Sequence, residues 1–148
     1  MADNTVSTLN NLIETLKDGS NGFRTAAEDV KDVSVKSTFT EFAAQRAQMA
    51  SELQQQVQKL GGSPETTGST AAAMHRGWIN IKQALGAGEK GILNEAERGE
   101  DVAVKSFEKA LEEPLPQDVA NVVRRQYTEV KQAHDRVRDL RDSWKSQA

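Results

Sequence analysis

The amino-acid sequence predicts an all-α protein whose core is a bundle of four long helices. Three observations carry that expectation. Apolar residues recur at alternating steps of three and four through four long stretches, the period of a helix that buries one face. The three prolines, Pro64, Pro114 and Pro116, fall between those stretches. The chain of 148 residues is one domain's worth, taken as 1–148, and is long enough to bury a real core without disulfides, which it has no cysteine to form.

The first helix is expected from about Thr5 to Lys31, capped by Asp3 or Asn4, with the stripe Val6, Leu9, Ile13, Leu16, Ser20, Phe23, Ala27 and Val30. Asp18 to Gly22 reads DGSNG, a turn by composition, yet the stripe stays in phase across it, which predicts an unbroken helix. Each glycine there costs about 1 kcal/mol relative to alanine, so close approach of a neighbouring backbone is the expected compensation. Asp18 points almost opposite to Leu16 and Ser20 and is expected in solvent. The second helix is expected from Val35 to Leu60, capped by Ser34, with Val35, Phe39, Phe42, Arg46, Met49, Leu53, Val57 and Leu60 on its stripe. Arg46 is the exception on that face. It either snorkels to the rim or pairs with a buried carboxylate.

Gly61 to Ser69 forms the main linker. A shorter helix from about Thr70 to Leu85 follows, with Met74, Trp78, Ile81 and Leu85 on its stripe, and Gly86 to Gly88 breaks it. The third long helix, about Glu89 to Glu112, carries Ile92, Ala96, Gly99, Glu100, Ala103, Phe107 and Ala110. Pro116 suits the first turn of the last helix, read from Val119 to Trp144. There Val119, Val123, Gln126, Tyr127, Val130, His134, Val137 and Trp144 share a stripe, which sets three polar groups on an apolar face. Four helices of this kind are each about 36–42 Å long, whereas an unbroken helix from Thr70 to Glu112 would reach about 64 Å. The glycine break must therefore change direction. An up–down–down–up bundle with a long crossover is one solution, and an up–down–up–down bundle is the other.

Composition excludes several roles. The net charge is −3 with 28% charged residues of both signs interspersed, an ordinary surface that argues against nucleic-acid binding. The basic last helix is itself interrupted by Glu129, Asp135, Asp139 and Asp142. No apolar run approaches the roughly 18–20 residues that cross a bilayer. The N-terminus, MADNTVSTLN, is too polar for a secretory leader, so a cytoplasmic protein without membrane attachment is expected. There is no cysteine nucleophile, phosphate loop, Gly-x-Ser-x-Gly or His-Glu-x-x-His, which favours a non-enzymatic role.

The segments LNNLIETLKDGSNGFRTAAEDV, HRGWINIK, ERGEDVAVKSFEKAL and RRQYTEVKQAHDRVRDLR, spread from about Leu9 to Arg141, together resemble a bacterial family of small ferritin-like four-helix proteins catalogued as a conserved domain of unknown function. The resemblance implies a ferritin-like four-helix bundle, in which the short helix read from the residues would lie in the crossover between the second and third long helices. It implies no activity. The wider ferritin and rubrerythrin superfamily builds a di-iron centre from a glutamate on each of two helices and a Glu-x-x-His pair on each of the other two. Here the first helix presents Leu16, Ser20 and Phe23 inward, the second presents Arg46 and Met49, and Lys131 stands three residues before His134. A guanidinium repels a cation, so a di-iron site is not expected.

In its place the pattern predicts a structural polar core of Arg46, Glu100, Gln126, Tyr127 and His134, in which Arg46 pairs with the Glu100 carboxylate and Gln126, Tyr127, His134 and Ser20 are available to complete the hydrogen bonds. The competing expectation is a metal-binding or metal-dependent oxidoreductase that holds iron or manganese on Glu97, Glu100 and His134. The acid-rich run Asn94 to Asp101 otherwise reads as a solvated face. On the short helix, His75, Arg76, Trp78 and Lys82 are expected to form a contact surface for a partner or subunit, since Trp and Arg are common anchors of interfaces. The expected partner is protein, with a homo-oligomer suggested by the superfamily and a stress or accessory role as its loosest implication.

Overall fold

The computed structural model describes residues 2–64 and 88–147. They form four helices: α1, Ala2–Asp29; α2, Val33–Lys59; α3, Gly88–Leu111; and α4, Gln117–Gln147. The short helix expected at Thr70 to Leu85, with His75, Arg76, Trp78 and Lys82, lies outside the described residues, and so does the side chain of Trp144. No helix among the described residues is long and apolar enough to cross a membrane.

Hydrogen bonds at the ends fix the direction of each helix. Asn10, near the start of α1, donates to the Ser63 carbonyl beyond the end of α2 at 3.0 Å, so these helices are antiparallel. The carboxylate of Glu89, at the start of α3, accepts from the backbone N–H of Lys31 and, at 2.8 Å, from that of Asp32. The start of α3 therefore sits at the α1–α2 turn, and α3 runs parallel to α2. Pairs from Tyr127 to Glu108 and from Arg141 to Glu97 make α4 antiparallel to α3. The order is up–down–down–up, and Gly62 and Gly88 stand at opposite ends of the bundle. α1 packs on α2 and α3, and α4 on α3 and more thinly on α2. That leaves α2 and α3 facing each other across the diagonal.

Local signals account for the ends. The N-cap of α2 is Asp32 rather than Ser34: its Oδ1 accepts from Val35 N–H at 3.1 Å. Both residues cap well, but Asp32 is the one held in extended backbone, where Glu89 grips its N–H. The end of α2 is a Schellman closure, in which Gly62 N–H donates to Val57 O and Gly61 N–H to Gln58 O, both at 3.0 Å. Gly61 has φ +81°. Gly61→Ala should therefore lower stability by about 1–2 kcal/mol, because an L side chain is strained in the left-handed region. Urea denaturation followed by circular dichroism checks it, and an unchanged midpoint would contradict the closure.

α1 continues unbroken through Asp18 to Gly22, as its phase predicts. Asp18, however, is buried rather than solvated, at 5% exposure. It continues the row Thr8, Asn11 and Thr15 that lies beside Ser106 and Lys109 of α3. Lying against two neighbours, α1 buries a wide arc in its middle instead of a single stripe. On α4 the buried row is Val119, Val123, Gln126, Val130, Ala133 and Val137. Tyr127 and His134 are shifted to its edge.

The apolar core falls into two halves. One holds Leu9, Ile13, Leu16, Leu53, Val57, Phe107, Val123 and their neighbours. The other holds Phe23, Phe39, Val35, Ile92, Ala96 and Val137. Arg46 of α2 and Glu100 of α3, both buried, stand between them in sequence on their helices.

Candidate functional site

Helical spacing brings Arg46 inward from α2 and Glu100 inward from α3, each in the row of its apolar neighbours. They meet across the diagonal of the bundle. Arg46 Nη1 donates to Glu100 Oε1 at 2.7 Å and Nη2 to Oε2 at 2.5 Å, a fork-on-fork pair. Their side chains are 1% and 0% exposed, so this pair is fully desolvated and Arg46 does not snorkel. The ring of Phe23 lies 5.5 Å from the guanidinium carbon. Gly19 provides room: a Cβ there would stand 3.3 Å from Arg46 Nη1. The close approach that the helical glycine permits is thus by a side chain, not by a backbone.

The other polar groups expected around the pair go elsewhere. Ser20 donates to the Ala43 carbonyl at 2.8 Å, which seats α1 on α2 without touching the pair. Gln126 is fully buried, and its Nε2 donates to Met49 O at 3.2 Å and Glu52 Oε1 at 2.8 Å. Glu52 in turn pairs with Arg125. Tyr127 leans to the rim, where its hydroxyl donates to Glu108 Oε2 at 2.8 Å. That hydrogen bond, followed by burial and the charge of Glu108, raises the phenol's pKa. The expected five-residue core is therefore a central pair, a separate buried glutamine and two rim groups. The reason is phase: Gln126 and Val130 hold the inward row of α4, which turns Tyr127 and His134 aside.

His134 stands at the α3–α4 seam. Its Nε2 lies 2.5 Å from Asp101 Oδ1 and its Nδ1 lies 3.1 Å from Asp135 Oδ1. Glu97, Asp101 and His134 each offer one ligand atom, and these atoms lie within 4.8 Å of one another. Glu97 also pairs with Arg141, Nη1 to Oε2, at 3.0 Å. The structure does not bring the expected set of Glu97, Glu100 and His134 together: Asp101 stands beside Glu97 and His134, and Glu100 faces Arg46. Asp101 is four residues from Glu97 and shares its face toward α4, whereas Glu100 shares the inward face of Ala96 and Ala103. Nor is the run Asn94 to Asp101 a solvated face, because Glu95 and Glu100 are buried and Glu97 and Asp101 are half-buried. Asp101 and Asp135 were missed as site residues. The Glu97–Asp101 spacing was the available signal for the first, and adjacency to His134 for the second.

Burial alone would lower the pKa of His134, but the hydrogen bonds and charges of Asp135 and Asp101 outweigh it and raise the pKa above the ordinary 6.5. Asp135 is lowered, chiefly by its hydrogen bond to His134. A raised folded pKa means that the stabilisation is complete below the unfolded value and fades as pH rises through the folded one. A ring-proton NMR titration should place His134 above 6.5, and Asp101→Asn should bring it down. A midpoint below 6.5 in the unaltered chain would contradict the arrangement.

The fold defines the class: a ferritin-like four-helix bundle. A mutant of Dps1 from Mycobacterium smegmatis superposes with a TM-score of 0.79 at 15% identity, over 95% of this chain and 96% of that one. The chain belongs to the family described as Domain of unknown function (DUF2383), matched over residues 4–113, so α1 to α3 carry the match and α4 lies beyond it. No curated protein matches the chain.

Proposed function

We propose that this ferritin-like protein works without a metal centre inside its four helices and acts through contacts with other protein chains, a second copy of itself first among them. The observation that carries the reading is the buried Arg46–Glu100 pair. In ferritin-like metalloproteins, carboxylates and imidazoles project into the middle of the bundle to hold two metal ions. Here a guanidinium takes up both oxygens of the central glutamate. Without its own partner, that carboxylate could serve a cation. With Arg46 in place its lone pairs are engaged, and the fixed positive charge opposes metal entry.

Support for a protein partner comes from the thin α2–α4 contact. It leaves an open groove lined by Phe42, Ala44 and Met49, with Glu41, Arg125 and Glu129 along it. A two-fold arrangement brings one patch against its own copy, so a surface bearing both signs can satisfy itself.

Two measurements test the reading. Fe(II) oxidation in air should run no faster with the protein than without it, and sedimentation should give a mass above one chain. Accelerated oxidation that disappears in Glu100→Gln would overturn the metal-free centre. A single-chain mass across the accessible concentration range would overturn self-association.

A further inference from the structure

We propose that Glu97, Asp101 and His134 form a site for one divalent first-row transition-metal ion at the α3–α4 seam, outside the bundle centre. Two oxygen donors and one imidazole, from two helices packed on each other, already stand with their ligand atoms within 4.8 Å of one another. A mixed nitrogen and oxygen set suits Zn(II), Co(II), Fe(II) or Mn(II) better than calcium, which takes oxygen alone.

The imidazole is also oriented as a ligand. Asp135 accepts from Nδ1 at 3.1 Å, which directs the other nitrogen, Nε2, toward Asp101. A carboxylate holding the far nitrogen of a histidine is the usual support of a metal-bound imidazole. An ion would take the place now spanned by the 2.5 Å contact between His134 and Asp101. Glu97 is held by Arg141, which must turn away for Glu97 to ligate. Arg141 keeps a partner when it does, since its Nη2 already lies 3.0 Å from Asp142 Oδ1. The seam position leaves the remaining coordination sites to water.

The site is independent of the proposed metal-free centre, and the test separates them. The full chain is titrated with Zn(II) while the His134 ring signals are followed by NMR, and with Co(II) while its visible absorption is followed. One ion per chain is expected, with His134 signals shifting until one equivalent is bound. Asp101→Asn and Glu97→Gln should each weaken Co(II) binding by about tenfold or more, and Asp135→Asn by about 10–100-fold. Glu108→Gln, an acid on the same helix paired with Tyr127 instead, should leave binding unchanged. Ring signals that ignore excess Zn(II) would overturn the site without needing any variant to fold. So would Co(II) binding indifferent to Glu97, Asp101 and Asp135. Binding lost only in Glu100→Gln would move the metal to the bundle centre and overturn the proposed function as well.

Discussion

Arg46→Ala should lower the stability of the folded chain by about 3–5 kcal/mol, the cost of leaving a buried carboxylate without its partner. Glu100 is fully buried, and both its oxygens are taken by the guanidinium. Against a typical total stability of about 5–15 kcal/mol, such a loss consumes much of the fold. Glu100→Ala should be comparably costly, since it strands the guanidinium. Arg46→Lys should recover little, because an ammonium cannot reproduce the two-pronged contact. The decisive variant is the double replacement Arg46→Met with Glu100→Leu. Removing both charges and filling the space should restore most of the lost stability, as buried pairs contribute little beyond an apolar equivalent. Urea denaturation followed by circular dichroism reads all four. If Arg46→Ala costs less than about 1 kcal/mol, the pair is solvated after all and the reading of the centre fails.

Phe23→Ala should cost about 3–5 kcal/mol, the range for a fully buried phenylalanine cut back to a methyl group. Phe23 is 0% exposed. Its ring meets Phe39 at 5.2 Å and Phe42, edge-on, at 5.4 Å between centroids. Its removal therefore opens a cavity in the half of the core that joins α1 to α2. The same ring lies against Arg46, so part of the loss belongs to the ion pair. A double-mutant cycle between Phe23→Leu and Arg46→Met isolates that part, and a coupling of about 1–2 kcal/mol is expected for a desolvated cation over a ring. Strict additivity would show that the ring only fills space.

Much of the fold was readable from the chain. The phase of the apolar stripe carried α1 through Asp18 to Gly22 despite two glycines, and the glycines ended α2 where the Schellman closure stands. The inward faces of α2 and α3 were also readable, since Arg46 and Glu100 each interrupt an otherwise apolar row. That two opposite charges on inward faces would seek each other follows from the cost of burying either one alone.

Phase on α4 was not settled by pattern. A row through Tyr127 and His134 and a row through Gln126 and Ala133 differ by one residue, and the side chains alone do not choose between them. Packing on α3 and α2 chose the second, because valines at 119, 123, 130 and 137 fill the interior while tyrosine and histidine reach carboxylates at the rim. The rim cluster was hidden for the same reason. Asp101 and Glu100 are neighbours in sequence, but a helix turns by about 100° between them, so one meets Arg46 and the other His134.

By itself, then, the sequence determined four helices, the glycine end of the second and the charges that fall on inward faces, because periodicity acts along each segment alone. The choice of the up–down–down–up order over its alternative, the full burial of Arg46 instead of its snorkelling to the rim, and the meeting of Glu97, Asp101 and His134 were decided only by the tertiary structure. Each depends on how one helix is rotated against another, a relation that no single stretch of chain contains.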